Sequence, residues 1–429
     1  MISKWRWILL QVSRKLWVRA TLFAVLGVVT ALISIVVEDH LPWELPGKIG
    51  ADAVDNILNI LASSMLAVTT FSLSVMVAAY ASATSNATPR ATKLLMQDST
   101  TQNALATFIG TFLYSLVGLI ALSTGAYGDR GRVVLFIVTI GVIILIVATI
   151  LRWIDHLSRL GRVGETTDRV EHATAKAIEG RIDNPCLGGR PLTTDVPTHK
   201  SLIDVFPETI GYIQHIDVQQ LSTFADDHDC LVYLMSLPGT FVHPARKIFC
   251  VQGMDDEEAA QKLRSAFTIA DERSFDQDPR FGLVVLAEIG SRALSPAVND
   301  PGTAIDVIGR GVRLLAQWRD CPTDVDEDDL PYPKVFVPPL EIDDLFDDVY
   351  LSLARDGAGM IEVQLRLQKA LLALAQLGDD RYKANAARVS RIALKRSEQA
   401  MQIDSEISAL REVASEIESL NSNYFCLVP

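Results

Sequence analysis

The chain has 429 residues, 49% of them hydrophobic, and 52 acidic against 39 basic side chains give it a net charge of −13. The apolar residues crowd before Arg152 and the acidic excess lies after it, which excludes a nucleic-acid partner, because phosphate binding needs clustered Lys and Arg. Five dispersed cysteines (Cys186, Cys230, Cys250, Cys321 and Cys426) and seven histidines show no CxxC and no ligand spacing. That pattern suits a reducing compartment and predicts no disulfide framework, metal site or cofactor.

Residues 1–16 carry Trp5 and Trp7 among basic residues and predict an interfacial segment leading toward the bilayer. A four-helix transmembrane domain is predicted over 17–151, since four apolar runs are long enough to cross a bilayer: 17–37, 57–83, 104–127 and 133–151. The first run is too long for a cleaved signal peptide and lacks a small-residue cleavage site. The short flanks set the orientation: Lys4, Arg6, Arg14, Lys15, Arg19, Arg90, Lys93, Arg152, Arg159 and Arg162 face only Lys48, Arg130 and Arg132 on the other side. The positive-inside rule then predicts a multi-pass plasma-membrane protein with both termini and the large domain in the cytoplasm.

Apart from Arg19 no charged residue falls inside the four spans, which weighs against ion-coupled transporters that keep one at mid-membrane. In the second span Ser63, Ala67, Thr70, Ser74, Ala78 and Ala81 recur at steps of three and four, so they share one helix face. Thr69, Ser72 and Ser82 add hydroxyls beside it. Two readings stand: close helix packing through small residues, or a polar wall along a pore. Both hold if the helix packs around an oligomer axis.

Residues 152–195 are expected to form a helical linker. Over 196–320 a cytoplasmic α+β domain is predicted, with strands near 211–216, 230–237 and 246–251, then helices. One amphipathic helix is read over 256–270, and two more open at Asp278-Pro279 and Asp300-Pro301, where a capping carboxylate precedes proline at the first helical position. Residues 321–348 form an acidic, Pro-rich linker with a short edge strand at 335–337; its Asp326–Asp329 run is a solvated loop or a cation site. Helices fill 349–429, the last with an incomplete apolar stripe that asks for a partner helix or another subunit. The fold class is therefore an α-helical integral membrane protein with a cytoplasmic α+β domain and long C-terminal helices.

Arg273, Asp276, Asp278, Arg292, Ser295, Asn299 and Asp300 form the best polar cluster, bracketing two helix starts. Capping and an Arg–Asp network, or a ligand or ion site, would explain them. Ser295 has no GxSxG elbow, and no P-loop or GxGxxG occurs, so no catalytic residue is assigned and the chain is not read as an enzyme. Three passages together resemble a known family: 83–98 (ATSNATPRATKLLMQD), 239–242, and 273–304 (RSFDQDPRFGLVVLAEIGSRALSPAVNDPGTA). The chain is similar to the bacterial membrane-protein family DUF2254, whose function is unknown. That resemblance implies architecture and a bacterial membrane, not a reaction. On the residues, two functions stay open. One is a homo-oligomeric channel with a pore lined by the second span and a cytoplasmic domain that assembles or gates it. The other is a non-conducting sensor or scaffold whose domain binds a ligand or protein. The partners expected are the lipid bilayer and further copies of the chain.

Overall fold

A computed structural model describes residues 4–13, 51–124, 129–192, 202–322 and 330–425, with isolated positions between 17 and 33. Two compact units emerge, one of residues 8–85 and 92–166, the other of residues 1–7, 86–91 and 167–429. In chain order the first helices are α1 (Lys4–Ser13), α2 (Ala51–Asn86), α3 (Pro89–Met96), α4 (Ser99–Ser123), α5 (Asp129–Arg159) and α6 (Val163–Asp183).

Among the described residues, three helical stretches are long and apolar enough to cross a membrane: Ala53–Asn86, Ser99–Ser123 and Gly131–Arg159. They contain the second predicted span and the fourth, and they shift the third toward the N-terminus. The expected span at 17–37 lies mostly outside the described residues, as do Asp326–Asp329. Within the helical unit α4 packs on α5. One cluster joins Val54 and Leu58 of α2 to Tyr114 and Leu135; another joins Leu61 and Met65 to Phe108, Ile146 and Trp153. Lipid removes the hydrophobic drive between such helices, so close packing and internal hydrogen bonds hold them. Trp153 Nε1 donates to the buried Ser72 hydroxyl at 2.9 Å, so Ser72 faces inward. At the mouth of α4 Asp98 accepts from the Thr101 amide at 2.8 Å and lies 2.9 Å from His156 Nε2.

Most of α6, in the stretch expected as a helical linker, belongs to the other unit, where Val170, Thr174, Ala177 and Ile178 along one stripe are all buried. Strands β1 (Gly189–Pro191), β2 (Leu202–Val205) and β3 (Gly211–Ile216) follow, then α7 (Val218–Asp227), β4 (Leu231–Leu234), β5 (Phe241–Val242) and β6 (Phe249–Gln252). The helix expected over 256–270 is a short α8 (Glu257–Lys262), a 3-10 turn and strand β7 (Phe267–Ala270). Ile213 pairs with Ile269 and Ile216 with Phe267, and this edge pairing overrides the local helical pattern. After α9 (Pro279–Ala293) and α10 (Pro301–Trp318) comes β8 (Tyr332–Val337), within the segment read as a linker. It is an interior strand, parallel to β1 on one side and β4 on the other, in a sheet ordered β1-β8-β4-β6-β2. A second sheet, β5-β3-β7, is antiparallel. Val205, Val232, Phe249, Val251, Val335 and Val337 share one core with α7, so residues on both sides of the expected domain boundaries complete it.

The chain ends in α11 (Ile342–Asp356), α12 (Ile361–Leu377), α13 (Asp380–Ala400) and α14 (Asp404–Phe425). The helical stretch after Gly378 breaks at Met401, whose backbone is extended. α14 folds back on α12 and α13 of the same chain, burying Leu410 and Ile417.

Candidate functional site

Helix α9 organises the site, because all three passages that carry the family resemblance meet on it. Asp278 accepts from the Phe281 amide at 3.1 Å, which caps the helix with Pro279 at its first position. Arg273 grips the same carboxylate through Nε and Nη2 at 2.8 and 3.0 Å and lies over the Phe281 ring, 5.1 Å from its centre. Burial pushes the Asp278 carboxyl up, against the pull of that guanidinium. Gly239 closes the other side: it has φ +90°, and a Cβ there would collide with Asp278 Oδ2. Asp276 accepts from Ser274 at 3.0 Å and from Trp7 Nε1 at 3.1 Å, and the Trp7 ring sits edge-on to the buried His215.

Midway along α9, Gly282 lets α6 approach so closely that a Cβ would overlap Thr174 Oγ1. Near the other end Glu288 accepts from the buried Thr88 hydroxyl at 3.0 Å and from Arg90 at 2.8 Å. Thr88 and Arg90 belong to the ATSNATPR passage at the end of α2. Ser291 donates to Asp356, whose carboxyl sits below its ordinary range although burial opposes this, because Arg355 and Ser291 both donate to it. Thr88, Arg90, Glu288, Arg292, Ser295 and Asp356 line one open cleft of about 590 Å³.

The seven residues of the expected polar cluster do not converge. Arg273, Asp276 and Asp278 stand at the start of α9, while Arg292 lies in its last turn and Ser295, Asn299 and Asp300 stand beyond its far end. The helix that sets them apart is fifteen residues long, roughly 22 Å at 1.5 Å per residue. The second group folds the connector. Ser295 Oγ donates to the Arg292 carbonyl at 2.7 Å. Asn299 takes a left-handed φ of 49° and its amide donates to the Ser295 carbonyl at 2.8 Å. Asp300 caps α10 through the Thr303 amide at 3.1 Å. The Thr303 hydroxyl and amide hold the Asp300 carboxyl below the usual carboxylate range. Sequence reasoning missed Trp7, Glu288 and Asp356 as partners here; the 83–98 passage pointed toward Thr88 and Arg90 without naming what they would meet.

The membrane stripe has a different geometry. Ser63, Ala67, Thr70, Ser74, Ala78 and Ala81 are all exposed, on the side of α2 away from the buried Leu58, Leu61, Met65, Ser72 and Met76. Their hydroxyls are satisfied within the helix: Ser63 donates to the Asn59 carbonyl at 2.9 Å, Thr70 to Leu66 at 2.8 Å and Ser74 to Thr70 at 3.0 Å. Leu66, Phe71, Leu73 and Val77, also exposed, flank them.

Residues 13–373 match the family model described as predicted membrane protein, DUF2254. The chain belongs to this family. Among similar proteins are uncharacterized protein Rv1290c of Mycobacterium tuberculosis and uncharacterized protein Mb1321c of Mycobacterium bovis. Each is 26% identical over 296 residues, covering 65% of this chain and 56% of the relative. The chain thus spans little more than half the length of the curated relatives it matches. No solved structure matches it.

Proposed function

We propose that this DUF2254 protein self-associates in a bacterial plasma membrane, with the small-residue face of α2 meeting other copies around a conduction path. The observation that carries this reading is the exposure of all six stripe residues, Ser63 to Ala81, in the protomer. Small side chains let membrane helices approach closely, and such a face set among Leu66, Leu73 and Val77 is suited to another helix. Hydroxyls already bonded to their own backbone tolerate lipid, a neighbouring helix or water. The positive-inside count supports a cytoplasmic position for the large domain, which would assemble or gate the pore. The test is planar-bilayer recording of reconstituted protein, with disulfide trapping of Ser63→Cys. Conduction abolished by Thr70→Leu or Ser74→Leu, together with trapped Ser63→Cys dimers, is expected. Protein that passes no ions and does not trap overturns the reading.

A non-conducting sensor or scaffold is the second reading. The cleft favours it, because Thr88 and Arg90, just past α2, are bonded there to Glu288. The cleft pairs Ser291 with Asp356 and Arg90 with Glu288, polar groups that suit binding.

A further inference from the structure

A separate pocket of about 250 Å³ lies among the end of α6, the end of α10 and the start of α13. Arg181 of α6 lines it and is only 4% exposed. One Nη donates to the Gln277 carbonyl at 3.1 Å, while the buried Nε has no hydrogen-bond partner. Among the described residues no carboxylate lies within ion-pair distance of it; Asp278, the acidic group that influences it, is already gripped by Arg273. Arg310 is the internal comparison. Its side chain is 9% exposed, and Asp168, Glu171 and Asp306 all meet it. Buried charges in proteins are ordinarily paired in that way, because desolvation of a lone ion is expensive. Burial lowers the Arg181 guanidinium only to about 10, so it remains a cation at neutral pH.

The rest of the lining fits an anion with an apolar body. Arg319 and Arg381 stand at the pocket, steadied by Asp320 at 3.0 Å and Asp379 at 3.2 Å. Trp318, Tyr382 and prolines supply flat apolar wall. Burial raises the thiols of Cys186 and Cys321, which also line it, so they add no negative charge. The volume falls below the roughly 300–1,000 Å³ of pockets for drug-sized ligands, which limits the occupant to a small molecule.

We infer that this pocket binds a small organic anion, a carboxylate or phosphate on a flat apolar group, with Arg181 as buried anchor and Arg319 and Arg381 at its rim. The site does not depend on self-association or conduction. It is tested on the full chain in detergent by titrating benzoate, phenyl phosphate and inorganic phosphate at constant ionic strength, reading tryptophan fluorescence and the thermal midpoint. Saturable binding is expected, at least tenfold weaker in Arg181→Met and threefold or more weaker in the exposed-rim variant Arg319→Gln. Preference for phenyl phosphate assigns a phosphate group and preference for benzoate a carboxylate. Without anion, Arg181→Met should melt at or above the wild-type temperature, since it removes an unpaired buried charge. Absence of saturable binding by all three probes, or wild-type affinity in both variants, overturns the inference. If Arg181→Met does not fold, the Arg319→Gln/Arg381→Gln pair decides: unchanged affinity there overturns it.

Discussion

Gly239 lies against the Asp278 carboxylate, in a left-handed turn that leaves no space for a side chain between them. The Gly239 amide donates to the Ile213 carbonyl at 2.7 Å, which ties the turn to β3 while Asp278 starts α9. Gly239→Ala combines a disfavoured backbone conformation with a collision, and should cost about 2–4 kcal/mol. The thermal midpoint of the purified protein measures this; an unchanged midpoint would show that the turn can move away from Asp278.

Thr88 and Arg90 share Glu288 unequally. Thr88 is buried, whereas the Arg90 side chain is 57% exposed. Thr88→Val should destabilise by about 1–2 kcal/mol through the lost hydrogen bond. Arg90→Ala should cost less than about 1 kcal/mol, because water and salt screen an exposed ion pair. Denaturant titration of the two variants side by side checks the order, and equal losses would refute it.

The contact of Gly282 with Thr174 allows a double-mutant cycle. Gly282→Ala overfills the space between α9 and α6 and should cost about 1–3 kcal/mol. Adding Thr174→Ala removes the hydroxyl and methyl that the new carbon meets, so part of the loss should return as a coupling energy of about 0.5–3 kcal/mol. Simple additivity would mean the two helices separate instead.

Asp300 supplies a pH test. Its Thr303 bonds lower the folded-state pKa, so its contribution is present above the unfolded value of about 3.9 and is lost as pH falls through the lower folded value. Asp300→Ala should cost about 1 kcal/mol at neutral pH as a lost cap. The gap in melting temperature between variant and wild type should narrow below about pH 4; a constant gap would show that the charge contributes nothing.

Local signals were the legible ones. The apolar runs of α2, α4 and α5 lie within uninterrupted stretches of sequence, and Asp278-Pro279 and Asp300-Pro301 opened α9 and α10 where expected, because a cap acts within three residues. Strand β7 was hidden, and β8 was legible only as a short edge strand at 335–337, for the opposite reason. Phe267–Ala270 and Tyr332–Val337 are strands through partners far away in sequence, Gly211–Ile216 in one case and Gly189–Pro191 and Leu231–Leu234 in the other. The polar cluster was misleading in space, since neighbours in the 273–304 passage stand at opposite ends of one helix.

By itself the sequence determined that this is a membrane protein of the DUF2254 family, that its acidic excess follows the apolar part, and that the small residues of α2 share a face. Those properties follow from composition, motif and helical period, which need no long-range contact. Only the tertiary structure decided that the face points outward from its own helical unit, that three separate passages meet on α9, and that Arg181 is buried with no carboxylate among the described residues while Arg310 has three. Burial and pairing depend on which distant segments fold against a residue, and no local pattern records that.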